Sequence, residues 1–327
     1  MLLKFWPQKT DVNFMNARLV GAIVSSLLIS ASVFFLATRG LNFGVDFAGG
    51  TVMELEQTDT ITVEAVRQAM PLNAEVNSAV GTDARSIVVV KYGEADAALL
   101  GEAFQALSPG EQAERATGAT NELVTNTLKE SLGLTDDQIL RNDSVGPKVS
   151  QELFRDGITA LVAALALMMI YIWFRFEWQF SIGAVAALAH DVIITLGVFA
   201  FLQMEFNLTT IAALLTIIGY SMNDTVVVFD RVREEKRKYK KMADKDVINL
   251  ALNGTLSRTL LTSGTTLLAL LAIFFLGGPV LRGMSFALIW GVLIGTYSSV
   301  FIASTIVLAL GMDLNKKPVE DVPGFQG

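Results

Sequence analysis

The chain has 327 residues, of which 52% are hydrophobic and 17% charged, and its mean hydropathy is +0.49. A soluble domain carries roughly a quarter charged residues, and the deficit here falls in stretches of about 20 residues that carry almost no charge. This pattern excludes an ordinary cytosolic protein, a disordered chain and a basic nucleic-acid binder. There is no cysteine and one histidine, which excludes disulfides and zinc–thiolate sites and argues against a Ser–His–Asp triad. We predict a membrane protein whose chemistry uses carboxylates, amides and arginine.

Six apolar segments are long enough to cross a bilayer as helices. The first is bracketed by Arg18 and Arg39, and its length predicts a retained helix rather than a cleaved signal peptide. About 120 residues of mixed composition separate the first two segments. Six spans place both termini on one side of the membrane. The predicted spans are 19–37, 158–174, 180–202, 208–229, 260–276 and 286–310.

Charge predicts the orientation. The N-terminal segment 1–18, the strongly basic run 231–241 and the tail 311–327 all fall on one side, which the positive-inside rule makes cytoplasmic. The segment 39–156 holds 19 acidic and 9 basic residues, so it is the translocated part. We predict a periplasmic domain over 39–157 and spans two to six over 158–310, with a cytoplasmic basic segment at 230–257. A basic run can also bind nucleic acid, but beside a membrane helix it is typical of a topology determinant.

The translocated segment has the pattern of a small α+β module. Strands are predicted at 51–57, 75–80, 86–92 and 139–145, and helices at 61–70 and 111–132, with Thr62 as a helix cap and a turn at 81–83. This order, β-α-β-β-α-β, predicts a ferredoxin-like domain. Its entry, GVDFAGGT at 44–51, has no phosphate-loop spacing, and the glycines are read as a tight turn. Glycine and proline at 39–44 and 146–157 predict that the domain pivots on the membrane bundle.

Ionisable residues inside the spans are the candidate functional residues. A carboxylate at the centre of a membrane helix costs about 2.5–3.5 kcal/mol, so such residues face protein or water. His190 and Asp191 lie midway along the third span, and Asn223 and Asp224 lie in the fourth. Arg258 opens the predicted fifth span.

Helical spacing groups these residues into polar stripes. Thr216, Tyr220 and Asp224 recur every four residues on the fourth span. On the fifth, Arg258 heads a second stripe, which continues through Thr262, Thr265 and Thr266. An ionised Asp224 attracts Arg258 and a protonated one releases it, so the pair is a candidate ion relay that biases two packings. Asn223 and Tyr220 enlarge this polar site.

Structural alternatives remain for each of these residues. Arg258 is also placed to snorkel to the cytoplasmic interface. Asp191 is placed to accept a buried hydrogen bond that orients the bundle, and His190 to be a satisfied core histidine. The Gly291–Gly295 pair, GxxxG, is a weak signal for close helix packing.

Several motifs together resemble the SecF family, the smaller subunits of the bacterial SecDF protein-export complex within the resistance-nodulation-division (RND) superfamily. They occur in the family's order and span nearly the whole chain: GVDFAGGT at 44–51, FRFEW at 174–178, AHD at 189–191, GYSMNDT at 219–225 and RTLLTSGTT at 258–266. The resemblance implies a polytopic α-helical membrane protein with a six-helix RND-type bundle.

The resemblance also implies a function and partners. SecF-type chains pair with SecD, a similar six-span protein, beside the SecYEG channel and YajC, and use the ion gradient to pull preprotein outward. The implied ion-relay acid and arginine are Asp224 and Arg258. The coupling ion, proton or sodium, is left open, and no cofactor is expected. The chain has no P-loop, so it is predicted not to be an enzyme, and ATP hydrolysis belongs to a partner motor. The implied location is the inner membrane, with cytoplasmic termini.

Two other function classes remain as alternatives. One is a solute or drug exporter of the same superfamily, although a single small module outside the membrane argues against a drug-binding cleft. The other is a structural subunit that only stabilises a translocon, with its buried charges setting helix register.

Overall fold

The computed structural model describes residues 10–80 and 85–312. The turn predicted at 81–83, the basic residues Lys4, Lys9, Lys316 and Lys317, and the tail after residue 313 lie outside the described residues. The helices in chain order are α1 (Arg18–Thr38), α2 (Val45–Ala48), α3 (Val63–Ala69), α4 (Glu102–Gln105), α5 (Pro109–Leu132), α6 (Pro147–Arg175), α7 (Trp178–Leu202), α8 (Leu208–Lys238), α9 (Asp244–Leu276), α10 (Gly278–Ser298) and α11 (Ser304–Leu310). A π-helical segment, Ser299–Ala303, joins α10 to α11.

Within these described ranges, six helices have the length and apolar character to cross a membrane, which confirms the predicted number of spans. Three of them extend well beyond their apolar segments. α6 begins at Pro147 rather than 158, α8 continues past 229 to Lys238, and α9 begins at Asp244 rather than 260. Hydropathy marks only the part of a helix that suits lipid, whereas backbone hydrogen bonds let the helix continue into water. Most of the cytoplasmic basic segment predicted at 230–257 lies in the C-terminal end of α8 and the N-terminal end of α9, and its cytoplasmic location stays a prediction.

Small residues let α10 pack closely on α8. A Cβ added to Gly295 would lie 3.1 Å from the Cβ of Ser221, and one added to Gly291 would collide with Ile217. The GxxxG pair thus does bring two backbones together, as predicted. α8 also packs against α9, and α7 packs against α1 and α10, so α8 and α7 form the buried centre of the bundle.

The strands are β1 (Asn42–Phe43), β2 (Gly50–Glu56), β3 (Ala74–Val80), β4 (Ser86–Tyr92), β5 (Ile139–Val145) and β6 (Glu205–Phe206). β2 to β5 form an antiparallel sheet in the order β3-β4-β2-β5. The β-α-β-β-α-β order with the first strand between the third and the fourth confirms the predicted ferredoxin-like arrangement.

The helices of this α+β domain begin at recognisable caps. The Thr62 hydroxyl accepts from the Ala65 amide at 3.2 Å, as predicted, and Ser108 and Glu111 form a capping box at the start of α5. Val124 and Leu128 of α5 pack with strand residues in one apolar core. Burial raises the pKa of the Tyr92 phenol, which donates to the Asn121 Oδ1 at 2.8 Å.

The junction between the α+β domain and the bundle is held by backbone and side-chain contacts. β1 pairs in parallel with β6, which lies in the loop between α7 and α8. The Leu208 amide donates to the Asp46 carboxylate at 2.9 Å, and Lys91 pairs with Glu205 at 3.2 Å. α6 runs unbroken from the domain into the membrane. Residues 147–157, where the sequence predicts a pivot, are therefore helical, and only Gly146 precedes the helix as its cap.

Two glycines direct the chain from α2 into β2. Gly49 and Gly50 have φ angles of 75° and 108°, which side chains other than glycine rarely adopt. A Cβ on Gly50 would also lie 2.5 Å from the Tyr92 carbonyl oxygen. The predicted role of these glycines in a tight turn is confirmed.

Candidate ion site in the membrane bundle

Asp224 lies at the buried contact of three helices. It is 7% exposed and sits on the fourth span, α8. Its Oδ1 accepts from the Thr259 hydroxyl of α9 at 2.7 Å, and its Oδ2 accepts from the Ser299 hydroxyl of the π-helical segment at 2.8 Å. Both partners are neutral hydroxyls. Among the described residues no cation forms an ion pair with this carboxylate.

A row of hydroxyl groups continues from Asp224 along the same helix contact. The Tyr220 hydroxyl donates to the Ser263 Oγ at 3.3 Å, and Ser263 exchanges a hydrogen bond of 2.8 Å with Thr296. Tyr220 lies one turn before Asp224 on α8, so these groups extend the polar site towards the N-terminal end of α8. The Tyr220 hydroxyl contacts Ser263, and the hydrogen-bond partners of the Asp224 carboxylate among the described residues are Thr259 and Ser299, so the predicted part of Tyr220 in the ion site stays a prediction.

Arg258 does not contact Asp224. Its exposed side chain lines a surface cleft of about 420 Å³ together with Asp230 and Glu234 of α8. Within the described ranges its guanidinium has no hydrogen-bond or ion-pair partner. A helix turns about 100° per residue, and the neighbouring position, Thr259, is the one that faces α8. Arg258 also lies well inside α9 rather than at its start, because the helix begins at Asp244.

The predicted polar stripes therefore divide between two environments. Thr216 and Asn223 of α8 are exposed, Tyr220 is half-buried and Asp224 is buried. Residues four apart drift by about 40° around a helix, which carries the stripe from the surface into the bundle. On α9, Thr262 and Thr265 of the predicted stripe are exposed like Arg258, whereas Thr266 is half-buried.

His190 and Asp191 form a second buried polar cluster on α7, where they are 3% and 1% exposed. The His190 Nδ1 lies 2.9 Å from the Asp191 Oδ1, and its Nε2 lies 3.1 Å from the Ser25 Oγ of α1. The Asp191 Oδ2 accepts from the hydroxyls of Ser221 at 2.6 Å and Ser298 at 2.8 Å. Asp191 thereby joins α7 to α8 and α10.

The two carboxylates are connected through one short segment. Ser298, the last residue of α10, donates to Asp191, and the next residue, Ser299, donates to Asp224. Ser299 also begins the π-helix, an irregularity that is frequent at functional sites. Ser221 and Asp224 provide a second connection, since they lie one turn apart on α8.

Sequence reasoning missed the hydroxyl residues that complete both clusters. The visible signal was the run Thr296-Tyr297-Ser298-Ser299, four consecutive hydroxyl side chains inside an apolar span. The missed residues are Ser25, Ser221, Thr259, Ser263, Thr296, Tyr297, Ser298 and Ser299.

The bend between α6 and α7 is tied to the end of α8 by charged groups. Arg175 pairs with Asp230 at 3.0 Å, and Arg233 pairs with Glu177 at 3.1 Å. Both guanidinium groups also lie over the Phe176 ring, at 4.9 and 5.4 Å from its centroid. The FRFEW motif at 174–178 thus has a structural role at one end of the bundle.

Comparison with known proteins gives the family. Residues 124–313 match the family model described as "Protein export membrane protein SecD/SecF, C-terminal", and residues 34–56 match "SecD/SecF GG Motif". The protein translocase subunit SecF of Cereibacter sphaeroides is 46% identical over 99% of this chain and 97% of its own length. That of Vibrio alginolyticus is 40% identical over 92% of this chain and 90% of its own. The chain belongs to the SecF family.

A solved relative of the SecF family shares the fold. The crystal structure of SecDF from Thermus thermophilus, described as a translocon-associated membrane protein, matches with a TM-score of 0.75 and 33% identity. The match covers 94% of this chain but only 39% of that longer chain. Asp191, Asp224 and Arg258 lie in the region that matches the C-terminal family model, and Gly49 and Gly50 lie in the GG motif.

Proposed function

We propose that this protein translocase subunit couples an ion gradient to the late steps of polypeptide export, with Asp224 as the residue that binds the ion. The observation that carries the proposal is a carboxylate, 7% exposed, on a membrane-spanning helix and held only by neutral hydroxyls. Such a group is costly in a membrane. A proton on the carboxyl or a sodium ion among its oxygen neighbours neutralises it, so ion occupancy changes the local charge.

The partner is a SecD-type protein. The polar residues that α8 and α9 expose at membrane depth, among them Thr216, Asn223 and Thr262, are unfavourable against lipid. A second helical bundle covers them, and the longer SecDF chain, of which this chain matches 39%, has room for one. The SecYEG channel and YajC, which the family resemblance implies, remain predictions.

The basic end of the bundle faces the cytoplasm of the inner membrane. The N-terminal segment lies at that end, since the Val12 and Met15 amides donate to Asn253 and Asn249 of α9 at 2.9 and 3.0 Å. The loop between α8 and α9 carries Lys240 and Lys241. The α+β domain lies at the opposite end, on the loop between α7 and α8, and is therefore periplasmic by the positive-inside rule.

Export measured in vesicles tests the proposal. The chain is reconstituted with its SecD-type partner and the channel, and proton and sodium gradients are imposed separately. Asp224→Asn retains hydrogen-bonding capacity but removes the titrating charge, so gradient-stimulated export is expected to fall to the unstimulated rate.

Asp230→Asn is the matched control, because Asp230 is a carboxylate of the same helix outside the buried site. It is expected to keep gradient stimulation. Stimulated export in Asp224→Asn at the unmodified level overturns the proposal and favours a structural role for the buried charge.

A further inference from the structure

We propose that His190 and Asp191 form a second proton-binding site, coupled to Asp224 through the adjacent hydroxyls of Ser298 and Ser299. The existence of the site follows from hydrogen-bond geometry. Its role in export rests on the proposed function.

The additional proton follows from the number of protons that a series of hydrogen bonds requires. Four contacts run in series: Asp191 to His190, His190 to Ser25, Ser25 to Tyr297 at 3.0 Å, and Tyr297 to the Gly21 carbonyl oxygen at 2.7 Å. Each contact needs one proton to be a hydrogen bond. A neutral imidazole, Ser25 and Tyr297 supply one proton each, which is one too few.

The direction of the series shows where the additional proton resides. The Gly21 carbonyl only accepts, so Tyr297 donates to it, and Ser25 must then donate to Tyr297. Ser25 has no second proton, so His190 donates from Nε2. The remaining proton lies between Nδ1 and Asp191, as an imidazolium beside a carboxylate or as an imidazole beside a carboxylic acid. Both forms carry one proton more than neutral histidine beside ionised aspartate.

Because these groups are buried, a missing proton has an energetic cost. His190, Asp191 and Ser25 are all at most 3% exposed, and a buried polar group without a hydrogen bond costs about 1–3 kcal/mol. Loss of the additional proton leaves one of the four contacts unmade. Tyr297, whose ring stacks on that of His190, then turns towards Ser25 or stays with Gly21, so proton release is linked to a rearrangement between α1 and α10.

The surroundings place few other charges near the pair. α10 faces it with the titratable Tyr297, and α8 faces it with Ser221, with Asp224 one helical turn further along. α1 contributes Ser25 and the Gly21 carbonyl. Asp224 is the other carboxylate among these groups, so we expect a change in the charge of the pair to act on Asp224.

The junction between α10 and the π-helical segment provides the coupling. Ser298 donates to Asp191 and Ser299 to Asp224, each at 2.8 Å. The two serines are consecutive, so a shift of this backbone that follows one carboxylate changes the hydrogen bond of the other. Ser298 and Ser299 are positioning residues, and their effect is expected on proton occupancy rather than on ion binding alone.

Nitrogen-15 NMR of histidine tests the site directly, because the chain contains one histidine. The full chain, labelled in histidine and assembled with its unlabelled partner, is measured in lipid at neutral pH. We expect the Nε2 resonance of a protonated nitrogen. A bare Nε2 in the unmodified protein overturns the proposal without reference to export.

Two conservative variants sharpen this test. Tyr297→Phe and Ser25→Ala each remove two contacts and one proton, so a neutral histidine beside ionised Asp191 then satisfies the contacts that remain. We expect the additional proton to be lost in both, so that Nδ1 carries the single ring proton and donates to Asp191 while Nε2 becomes unprotonated. Unchanged resonances in both folded variants contradict the proton count.

The coupling has its own measurement. Asp224→Asn is expected to shift the His190 resonances, whereas Asp230→Asn is not. Ser298→Ala should abolish that response. Ser285→Ala, an equally buried serine of α10 that bonds only to carbonyls of its own helix, should preserve it. If the His190 resonances still shift on Asp224→Asn in a chain that also carries Ser298→Ala, coupling through Ser298 is contradicted. If instead the proposed ion-coupled function is wrong, Asp224→Asn leaves gradient-stimulated export unchanged while the His190 resonances still behave as described.

Discussion

The Asp224 carboxylate is held by hydroxyl groups, and hydroxyl groups suit two charge states. Each hydroxyl of Thr259 and Ser299 donates to the carboxylate as described, and by rotation one of them can accept from a protonated carboxyl. A change of charge at Asp224 therefore reorients neutral partners without breaking an ion pair. This arrangement differs from the direct Asp224–Arg258 pair that the sequence suggests.

Thr259→Val tests the contribution of one of these donors. A hydrogen bond to a charged group contributes about 1.5–3 kcal/mol, and about 1.4 kcal/mol is a factor of ten in an equilibrium constant. We expect the ion dependence of export to shift about tenfold or more. Thr262→Val is the control, since this exposed threonine bonds only to carbonyls of its own helix. Equal losses in the two variants would contradict the assignment.

Arg258→Met separates stability from coupling. The guanidinium has no partner within the described ranges, so we expect the free energy of unfolding to change by at most about 0.5 kcal/mol. The family resemblance places the relay arginine here, so gradient-stimulated export is expected to fall as far as in Asp224→Asn. Thermal unfolding and vesicle export are measured on the same complex. Unmodified stimulation in Arg258→Met shows that Arg258 only anchors the helix at the interface.

Gly50→Ala is expected to weaken the α+β domain by more than about 1 kcal/mol. The φ angle of 108° disfavours a side chain, and the added Cβ meets the Tyr92 carbonyl. Gly118→Ala, in the exposed middle of α5 with no atom within 4 Å of the added Cβ, is expected to stabilise by about 0.5–1 kcal/mol instead. Thermal unfolding is expected to show a lower stability for Gly50→Ala and a higher stability for Gly118→Ala. Changes of the same sign would contradict the role of backbone geometry.

At the scale of an element, the start of α5 links folding to pH. Hydrogen bonds from the Ser108 hydroxyl and amide hold the pKa of Glu111 below its ordinary value. Because the folded pKa is the lower one, this contribution is present above the ordinary value and is lost as the pH falls through the folded value.

Hydrogen exchange of the first-turn amides of α5 measures that contribution. Glu111→Gln should lower their protection at neutral pH, and the difference from the unmodified chain should vanish in acid. Glu114→Gln, an exposed change in the same helix, serves as the control. A difference that persists in acid would show that the charge of Glu111 is not the cause.

At the scale of the whole molecule, two ends of the bundle are chemically distinct. The basic end carries the N-terminal segment and the α8–α9 loop, and the opposite end carries the α+β domain, joined through β1 and β6. Because the continuous helix α6 enters the membrane from this domain, movement of the domain is expected to tilt α6 rather than bend the chain at 147–157.

Single cysteines test the orientation, because the chain contains none. Lys240→Cys lies in the exposed α8–α9 loop, and Asp137→Cys lies on the exposed surface of the α+β domain. In intact cells, a membrane-impermeant thiol reagent is expected to label Asp137→Cys after the outer barrier is opened, and Lys240→Cys only after the inner membrane is lysed. The reverse pattern would invert the proposed topology.

The sequence by itself determined the membrane class, the six spans and the order of the α+β domain. These properties depend on local energies: hydropathy of a continuous segment, the period of a helix or strand, and caps such as Thr62. The helix at 61–70 and the strand at 139–145 were therefore found close to their observed bounds.

Only the tertiary structure decided which side chains meet inside the bundle. A rotation of about 100° separates Arg258 from Thr259. The packing of α9 on α8 places Thr259, rather than Arg258, against Asp224. The contacts of Ser25 with His190 and Tyr297 join segments far apart in the chain. Hydropathy is nearly the same around a buried membrane helix, so the rotation of each helix is set by close contacts such as Gly295 on Ser221, which a single sequence does not reveal.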